Sequence, residues 1–174
     1  MIKETNAINF KKVLEDHGKW LEGDNSGVRA DLSFAFLAGM PIVRANLQLS
    51  VLSGANLSDV HFVTVNLNGA DLSNADLSNS NLNIATTLSG ANLDGAKIDN
   101  TIGNKLQIKS CQIDTYNIAY SVNELAIGHV QYLIHEWKNF SDEDIINIGG
   151  ISINWWNKWK HWIFDLIEMS PAVQ

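Results

Sequence analysis

The sequence predicts an all-β solenoid, a coil of stacked turns that is closed by an N-terminal capping helix and by a C-terminal hairpin with helices. Three observations predict this fold. A large apolar residue recurs at every fifth position through the middle of the chain, a small residue precedes most of these by two positions, and all six tryptophans lie outside that stretch. We therefore divide the chain into a capping helix and turn (1–28), a repeat coil (29–103) and a C-terminal hairpin with an aromatic helical cap (104–174).

The five-residue period fits neither the 3.6-residue period of an α-helix nor the two-residue period of a strand, so the backbone has to turn at every unit. We expect each unit to form one side of a square coil, with the large and the small residue pointing inward. Asn, Asp, Ser and Gly between them suit the corners. The large residues are Leu32, Leu37, Ile42, Leu47, Leu52, Leu57, Phe62, Leu67, Leu72, Leu77 and Leu82, and after a slip of one position Leu88, Leu93 and Ile98.

The N-terminal flank predicts a capping helix over residues 8–22. A stacked coil exposes apolar rungs at each end, and these need a cap with a polar outer face. His17 lies on the inner edge of this helix and has no second metal ligand three or four positions away, so we interpret it as a packing residue. The apolar residues at helical spacing are Phe10, Val13, Leu14 and Leu21.

The C-terminal flank predicts β-rich stretches at 106–108, 116–120 and 125–128, followed by helices. Ser141, with Asp144 three residues on, is typical of a helix N-cap. A last helix at about 152–169 carries a dense aromatic face, which either packs on the coil end or pairs with a second copy across a two-fold axis. We expect a homodimer through this region. The candidate interface residues are Trp155, Trp156, Trp159, Trp162, Ile163 and Leu166.

Composition excludes several classes of function. A net charge of −7 argues against binding to nucleic acid or to an anionic membrane through a basic surface. The single cysteine, Cys111, can form neither an internal disulfide nor a zinc cluster, and the start of the chain is polar. These features predict a cytoplasmic protein. The histidines and carboxylates show no spacing typical of catalysis or of metal binding, so we expect no enzyme activity, no cofactor and no metal.

The repeat resembles the pentapeptide-repeat family, whose motif is A(D/N)LXX. The resemblance covers roughly positions 30 to 100 and implies a right-handed quadrilateral β-helix. Loops that interrupt the coil matter to activity in some family members that protect DNA gyrase, but one inserted residue is too short for such a loop. We interpret the slip as a bulge at one corner. Units that match the motif include Ala45-Asn46-Leu47, Ala70-Asp71-Leu72 and Ala75-Asp76-Leu77.

The flanks resemble those of a pentapeptide-repeat subgroup encoded by bacteriophages and prophages. This resemblance implies a non-enzymatic scaffold that binds a bacterial host protein, with counter-defence as one role of that class. A purely structural homodimer is an alternative. The segments that carry the resemblance are residues 18–23, 135–143, 155–160 and 167–173.

The family resemblance also implies an alternative function, because some members mimic B-DNA and bind DNA gyrase or another nucleic-acid enzyme. The candidate mimic face carries Asp31, Asp71 and Asp76. Between positions 29 and 100, six aspartates against three basic residues give a net charge of −3. About three and a half coils, spaced at about 4.8 Å, span about 17 Å. Duplex DNA carries roughly 10 negative charges over that length, so the coil is undercharged for a duplex.

Overall fold

The computed structural model describes residues 7–84 and 86–174. Residues 1–6, at the polar start of the chain, and Ala85, in the predicted slip, lie outside this description. Residues 20 positions apart pair as parallel partners through the coil: Asp31 pairs with Val51, and Phe36 pairs with Asn56 on the next side. Twenty residues are four five-residue units, so each coil has four sides, as in a β-helix-type fold.

Two backbone hydrogen bonds join neighbouring coils on each side. On the first side, Leu32 N donates to Val51 O at 2.7 Å and Val51 N donates to Ala30 O at 2.9 Å. The last residue of a unit adopts a positive φ, as at Phe34 (57°) and Asn100 (53°), which turns the chain into the next side. The inward leucines of successive coils form a continuous buried core.

The coil does not form one closed solenoid sheet, which corrects the all-β expectation. Only one side has paired segments long enough to be strands, and these form a three-stranded parallel sheet. On the other three sides a single residue of each unit pairs with the coil above, because the turns on either side leave no room for more. Those contacts remain isolated bridges. The strands are β1 (Pro41–Val43), β2 (His61–Val63) and β3 (Asn81–Ile84).

The predicted bulge lies in β3. His61 pairs with Asn81, at an offset of 20 residues, whereas Val63 pairs with Ile84, at an offset of 21. The coil keeps this new offset afterwards, as in the pair of Asn66 with Thr87. One extra residue is thus absorbed within a strand, and the pairing continues on all four sides.

The N-terminal helix α1 (Ala7–Leu21) covers the first coil, as predicted. His17 is fully buried and binds two backbone groups of the coil. Its Nε2 donates to Gln48 O at 2.9 Å, and its Nδ1 accepts from Ala30 N at 3.1 Å. Elsewhere in the coil a carbonyl equivalent to that of Gln48 accepts from a backbone amide, as Asn68 O does from Leu49 N. The imidazole therefore replaces the peptide group of a missing preceding coil.

A four-stranded antiparallel sheet and three helices follow the coil. The predicted strand at 106–108 is wrong: Asn104 Oδ1 accepts from the backbone amides of all three of these residues and so removes them from any ladder. The predicted cap is confirmed, since Ser141 Oγ accepts from Asp144 N. The elements are β4 (Lys109–Ile113), β5 (Tyr116–Tyr120), β6 (Glu124–Ile127), β7 (Val130–Leu133), α2 (Ile134–Asn139), α3 (Asp142–Ile148) and α4 (Ile153–Met169).

The antiparallel sheet lies between the coil and the helices. The paired residues Ala119 and Ala126 face the coil core, whereas the paired Ile118 and Ile127 face a second core that the helices share. Both faces of the sheet are thus buried. The C-terminal unit is therefore a layer that closes the coil and carries the helices.

The Gln131 side chain, from β7, closes one side of the last coil. Its Oε1 accepts from Ile98 N and its Nε2 donates to Ala96 O, both at 2.7 Å. In the coil below, the same two backbone positions are paired by peptide groups: Leu77 N donates to Lys97 O, and Ala75 O accepts from Lys97 N. The primary amide of Gln131 thus supplies the donor and the acceptor of a missing next coil.

The His17 cap makes stability depend on pH. Burial, opposed in part by the bond to Gln48 O, lowers the pKa of His17 below its ordinary value near 6.5. The unfolded chain then binds more protons than the folded chain as the pH falls below 6.5, so the free energy of unfolding decreases from that pH down to the lowered pKa. We expect urea unfolding at pH 5.5 to show lower stability than at pH 7.5. The decrease should be absent in His17→Gln; an equal decrease in that variant would contradict the prediction.

Replacing Gln131 removes both hydrogen bonds at the coil end. We expect Gln131→Leu to lower the free energy of unfolding by about 1–3 kcal/mol, because Ala96 O and Ile98 N lose their partners in a partly buried place. Gln112→Leu is the matched control, since the Gln112 side chain binds only Asp114 O at the exposed surface. Urea titrations of both variants check this, and equal stabilities would contradict the role of Gln131.

Candidate functional site

Helix α4 is the element on which the sequence placed the candidate interface, and half of that interface is core. Trp155, Trp156 and Ile163 are at most 8% exposed and belong to the second core. The Trp156 ring lies 5.3 Å from that of Trp137, and Trp155 meets Tyr116 edge-on at 4.6 Å. These three side chains hold the helix to the sheet, so the prediction that they form an exposed interface is corrected.

One edge of α4 remains exposed and apolar. Trp162 is 45% exposed and Met169 is 75% exposed, while Trp159 and Leu166 are half-buried. The spacing of these four residues, three or four positions apart, places them along one face of the helix. We call the set Trp159, Trp162, Leu166 and Met169 the aromatic strip. The other half of the predicted interface, Trp159, Trp162 and Leu166, lies in it.

Contacts from outside the helix fix the aromatic strip at Trp159. Its Nε1 donates to Asp114 Oδ2 at 2.9 Å, and the Lys158 ammonium lies 4.5 Å from the centre of its ring. Lys158 also lies 3.5 Å from Asp114. The Trp162 ring then packs edge-on against Trp159, with 6.2 Å between the ring centres. Two exposed indoles are thereby held in a defined arrangement.

Sequence reasoning missed Asp114 as a part of this surface. The residue stands in the turn between β4 and β5, with a φ of 50°, and is 44 and 45 positions away from Lys158 and Trp159. An aspartate in a tight turn is common for local reasons, so nothing in its surroundings along the chain indicates the indole that it binds.

The candidate mimic face is divided between two sides of the coil. Asp31 and Asp71 lie on one side with Val51 between them. Asp76 lies on the next side, and Lys97, one coil above it, approaches to 3.7 Å. Hydrogen bonds from Ser73 and Asn92 lower the pKa of Asp71, with Ser73 as the main cause. The structure does not bring the three carboxylates together on one face.

The remaining titratable groups are scattered. Among the described residues no group of three or more His, Cys, Asp or Glu side chains could hold a metal ion. Cys111 is half-buried, and burial raises the pKa of its thiol. No helix in residues 7–84 and 86–174 is long and apolar enough to cross a membrane.

Comparison with known proteins concerns the coil. Residues 45–83 match the family model described as Pentapeptide repeats, in 8 copies. No curated protein matches the chain. Among solved structures, the chain is similar to HetL, a pentapeptide repeat protein involved in heterocyst differentiation regulation from the cyanobacterium Nostoc sp. strain PCC 7120. The identity is 30% over 44% of this chain and 37% of that one, with a TM-score of 0.26.

A second similar structure is a pentapeptide repeat protein from the thylakoid lumen of Arabidopsis thaliana. The identity is 29% over 41% of this chain and 57% of that one, and the TM-score is 0.28. The chain thus matches well under two thirds of the length of either relative. The family match and the 20-residue pairing period fall on the same segment, and the coil of this chain is built from pentapeptide repeats.

Proposed function

We propose that this chain is a non-enzymatic scaffold that binds another protein through the aromatic strip of α4. The exposure of Trp162 carries the proposal. An indole that is 45% exposed beside a second indole leaves a large apolar area in water, and tryptophan is among the residues most enriched in the energetic centres of protein interfaces. The core of the second unit is complete without Trp162.

The strip is ordered before it binds. Trp159 is held by Asp114 and Lys158 at the distances given above, and Trp162 packs on Trp159. Binding by ordered side chains loses less conformational entropy than binding by mobile ones. The buried Trp155 and Trp156 anchor the helix beneath the strip. This arrangement suits recognition of an apolar surface on a partner.

The resemblance of the flanks to phage and prophage proteins supports a bacterial host protein as the partner, in the cytoplasm of the host cell. Blocking a host defence enzyme is one activity of this kind. A homodimer that buries the same strip is the alternative within this proposal, because a two-fold axis beside α4 would bring two copies of Trp162 together.

One observation favours DNA mimicry as a second candidate function. All six aspartates of the coil between positions 29 and 100 fall on two adjacent sides: Asp31, Asp71 and Asp94 on one, and Asp59, Asp76 and Asp99 on the other. This asymmetry would give the coil one acidic flank for a nucleic-acid enzyme. Inhibition of gyrase supercoiling at low salt by micromolar protein, lost in Asp31→Asn/Asp71→Asn, would support the mimic; no inhibition would exclude it.

Replacement of Trp162 tests the scaffold. Tagged wild-type protein is used to capture a partner from bacterial lysate at low and high salt, and the partner's affinity is then measured by biolayer interferometry. We expect Trp162→Gln to weaken binding about 30-fold, as for loss of roughly 2 kcal/mol at an interface centre. Phe36→Gln is the matched control, because Phe36 is 54% exposed on the coil, away from α4. Equal loss in both variants would contradict the assignment.

Stability separates the strip from the core beneath it. Trp156→Ala should lower the free energy of unfolding by about 3–5 kcal/mol, because it empties a buried site. Trp162→Gln should leave the unfolding midpoint nearly unchanged. Sedimentation of wild type and Trp162→Gln distinguishes the homodimer from a foreign partner, since only a dimer through the strip dissociates in the variant.

A further inference from the structure

One side of the last coil carries a rung with no neighbour above it. Ala91 and Leu93 occupy the positions that Ala96 and Ile98 hold on the next side. In the coil below, the equivalent Leu72 N donates to Asn92 O and Ala70 O accepts from Asn92 N. By the same pattern, Leu93 N–H and Ala91 C=O point away from the coil, and neither is hydrogen-bonded to any of the described residues.

The Leu93 side chain shows the same opening. The other inward leucines of the coil that the structure describes are at most 2% exposed, whereas Leu93 is only partly buried. It lies in the wall of a cavity of about 210 Å³, between the last coil and the antiparallel sheet. The wall also includes Ala91, Gln107, Val122, Asn123 and Val173.

Gln107 adds a buried donor to this cavity. The residue is 4% exposed, and its Oε1 accepts from Asn104 Nδ2 at 2.8 Å. Its Nε2 donates to none of the described residues. Buried amide donors are nearly always hydrogen-bonded in folded proteins, so this unused amino group, lining the same cavity as the unpaired rung, indicates a place for an acceptor.

We propose that this cavity binds an extended peptide segment of a partner protein, which adds to the coil as its next rung. A carbonyl of the peptide accepts from Leu93 N, an amide of the peptide donates to Ala91 O, and Gln107 Nε2 donates to a second carbonyl. The Gln131 amide shows that the coil end accepts such a group, since it makes the two equivalent bonds on the next side at 2.7 Å. Addition of a strand to an open edge is a common mode of peptide recognition.

The cavity also restricts which peptide fits. Its volume is below the range of about 300–1,000 Å³ that is typical of pockets for drug-sized ligands, so it takes one or two residues, with a small apolar side chain against Leu93 and Val122. Asp94 is the only charged side chain in the wall among the described residues, and it is exposed. An acidic residue beside it would be repelled, so the peptide is neutral or basic.

This site is separate from the aromatic strip, and the inference does not rest on the proposed function. To test it, short random peptides are displayed and selected on the whole protein, with counter-selection on Val122→Lys. The best peptide is then synthesised and titrated against each variant. We expect Val122→Lys to weaken its binding about tenfold or more, and Val43→Lys and Trp162→Gln to leave it within about twofold.

Val43→Lys is the matched control, since Val43 is 53% exposed on the coil and Val122 is 43% exposed. Should Val122→Lys fail to fold, the exposed Asn123, in the same wall, is replaced by Lys instead. The proposal is overturned if no peptide survives the counter-selection, or if the selected peptide binds the blocked variant as tightly as wild type.

Amide hydrogen exchange provides an independent readout. In the free protein, Leu93 N–H should exchange much faster than Ile98 N–H, which Gln131 protects, and it should become protected when the selected peptide is bound. If the two amides exchange equally slowly in the free protein, the rung is already closed by the chain's own tail or by a second copy, and the proposal is wrong.

Discussion

Hydrogen bonding between successive coils is the constraint on which the rest of the structure depends. Each peptide group along a side is paired with one 20 or 21 positions away, so the first and the last coil necessarily expose unpaired donors and acceptors. The chain meets this cost with side chains that carry both a donor and an acceptor. His17 does so at the first coil and Gln131 at the last. The flanks are therefore part of the coil's backbone pairing as well as covers for its apolar core.

The C-terminal unit has to satisfy two neighbours at once. Its sheet is buried by the coil on one face and by the helices on the other, as the paired Ala119 and Ala126 and the paired Ile118 and Ile127 show. Helix α4 needs large apolar side chains on the inner face to complete the second core. The aromatic residues continue past that face to its edge, and this excess leaves Trp162 in water.

The sequence predicts the coil well because its period is unusual. A large residue at every fifth position excludes helix and strand, and the offset of 20 residues follows from four sides. The bulge in β3 is equally visible as one extra residue in that period. The N-cap at Ser141 is also predictable, because it depends on residues only three positions apart.

Contacts across long separations are not visible in this way. The aromatic residues of α4 extend around more than half of the helix, so spacing alone does not tell that Trp155 and Trp156 face the sheet while Trp162 faces water. The strand at 106–108 was predicted from its apolar residues, but the Asn104 side chain binds those amides first. Gln131 and Gln107 carry no pattern at all, since a glutamine that binds backbone groups resembles any polar surface residue.

The position of Gln131 limits how such a coil can change its length during evolution. Its amide matches one particular side, because it binds Ala96 and Ile98 and no equivalent pair on the other sides. Duplication of a single five-residue unit would rotate the coil end by a quarter turn beneath the cap and separate the amide from its partners. Duplication of four units would add a full turn and return the same side to the same place. The repeat is five residues long, but the step by which the coil can grow and keep its cap is twenty.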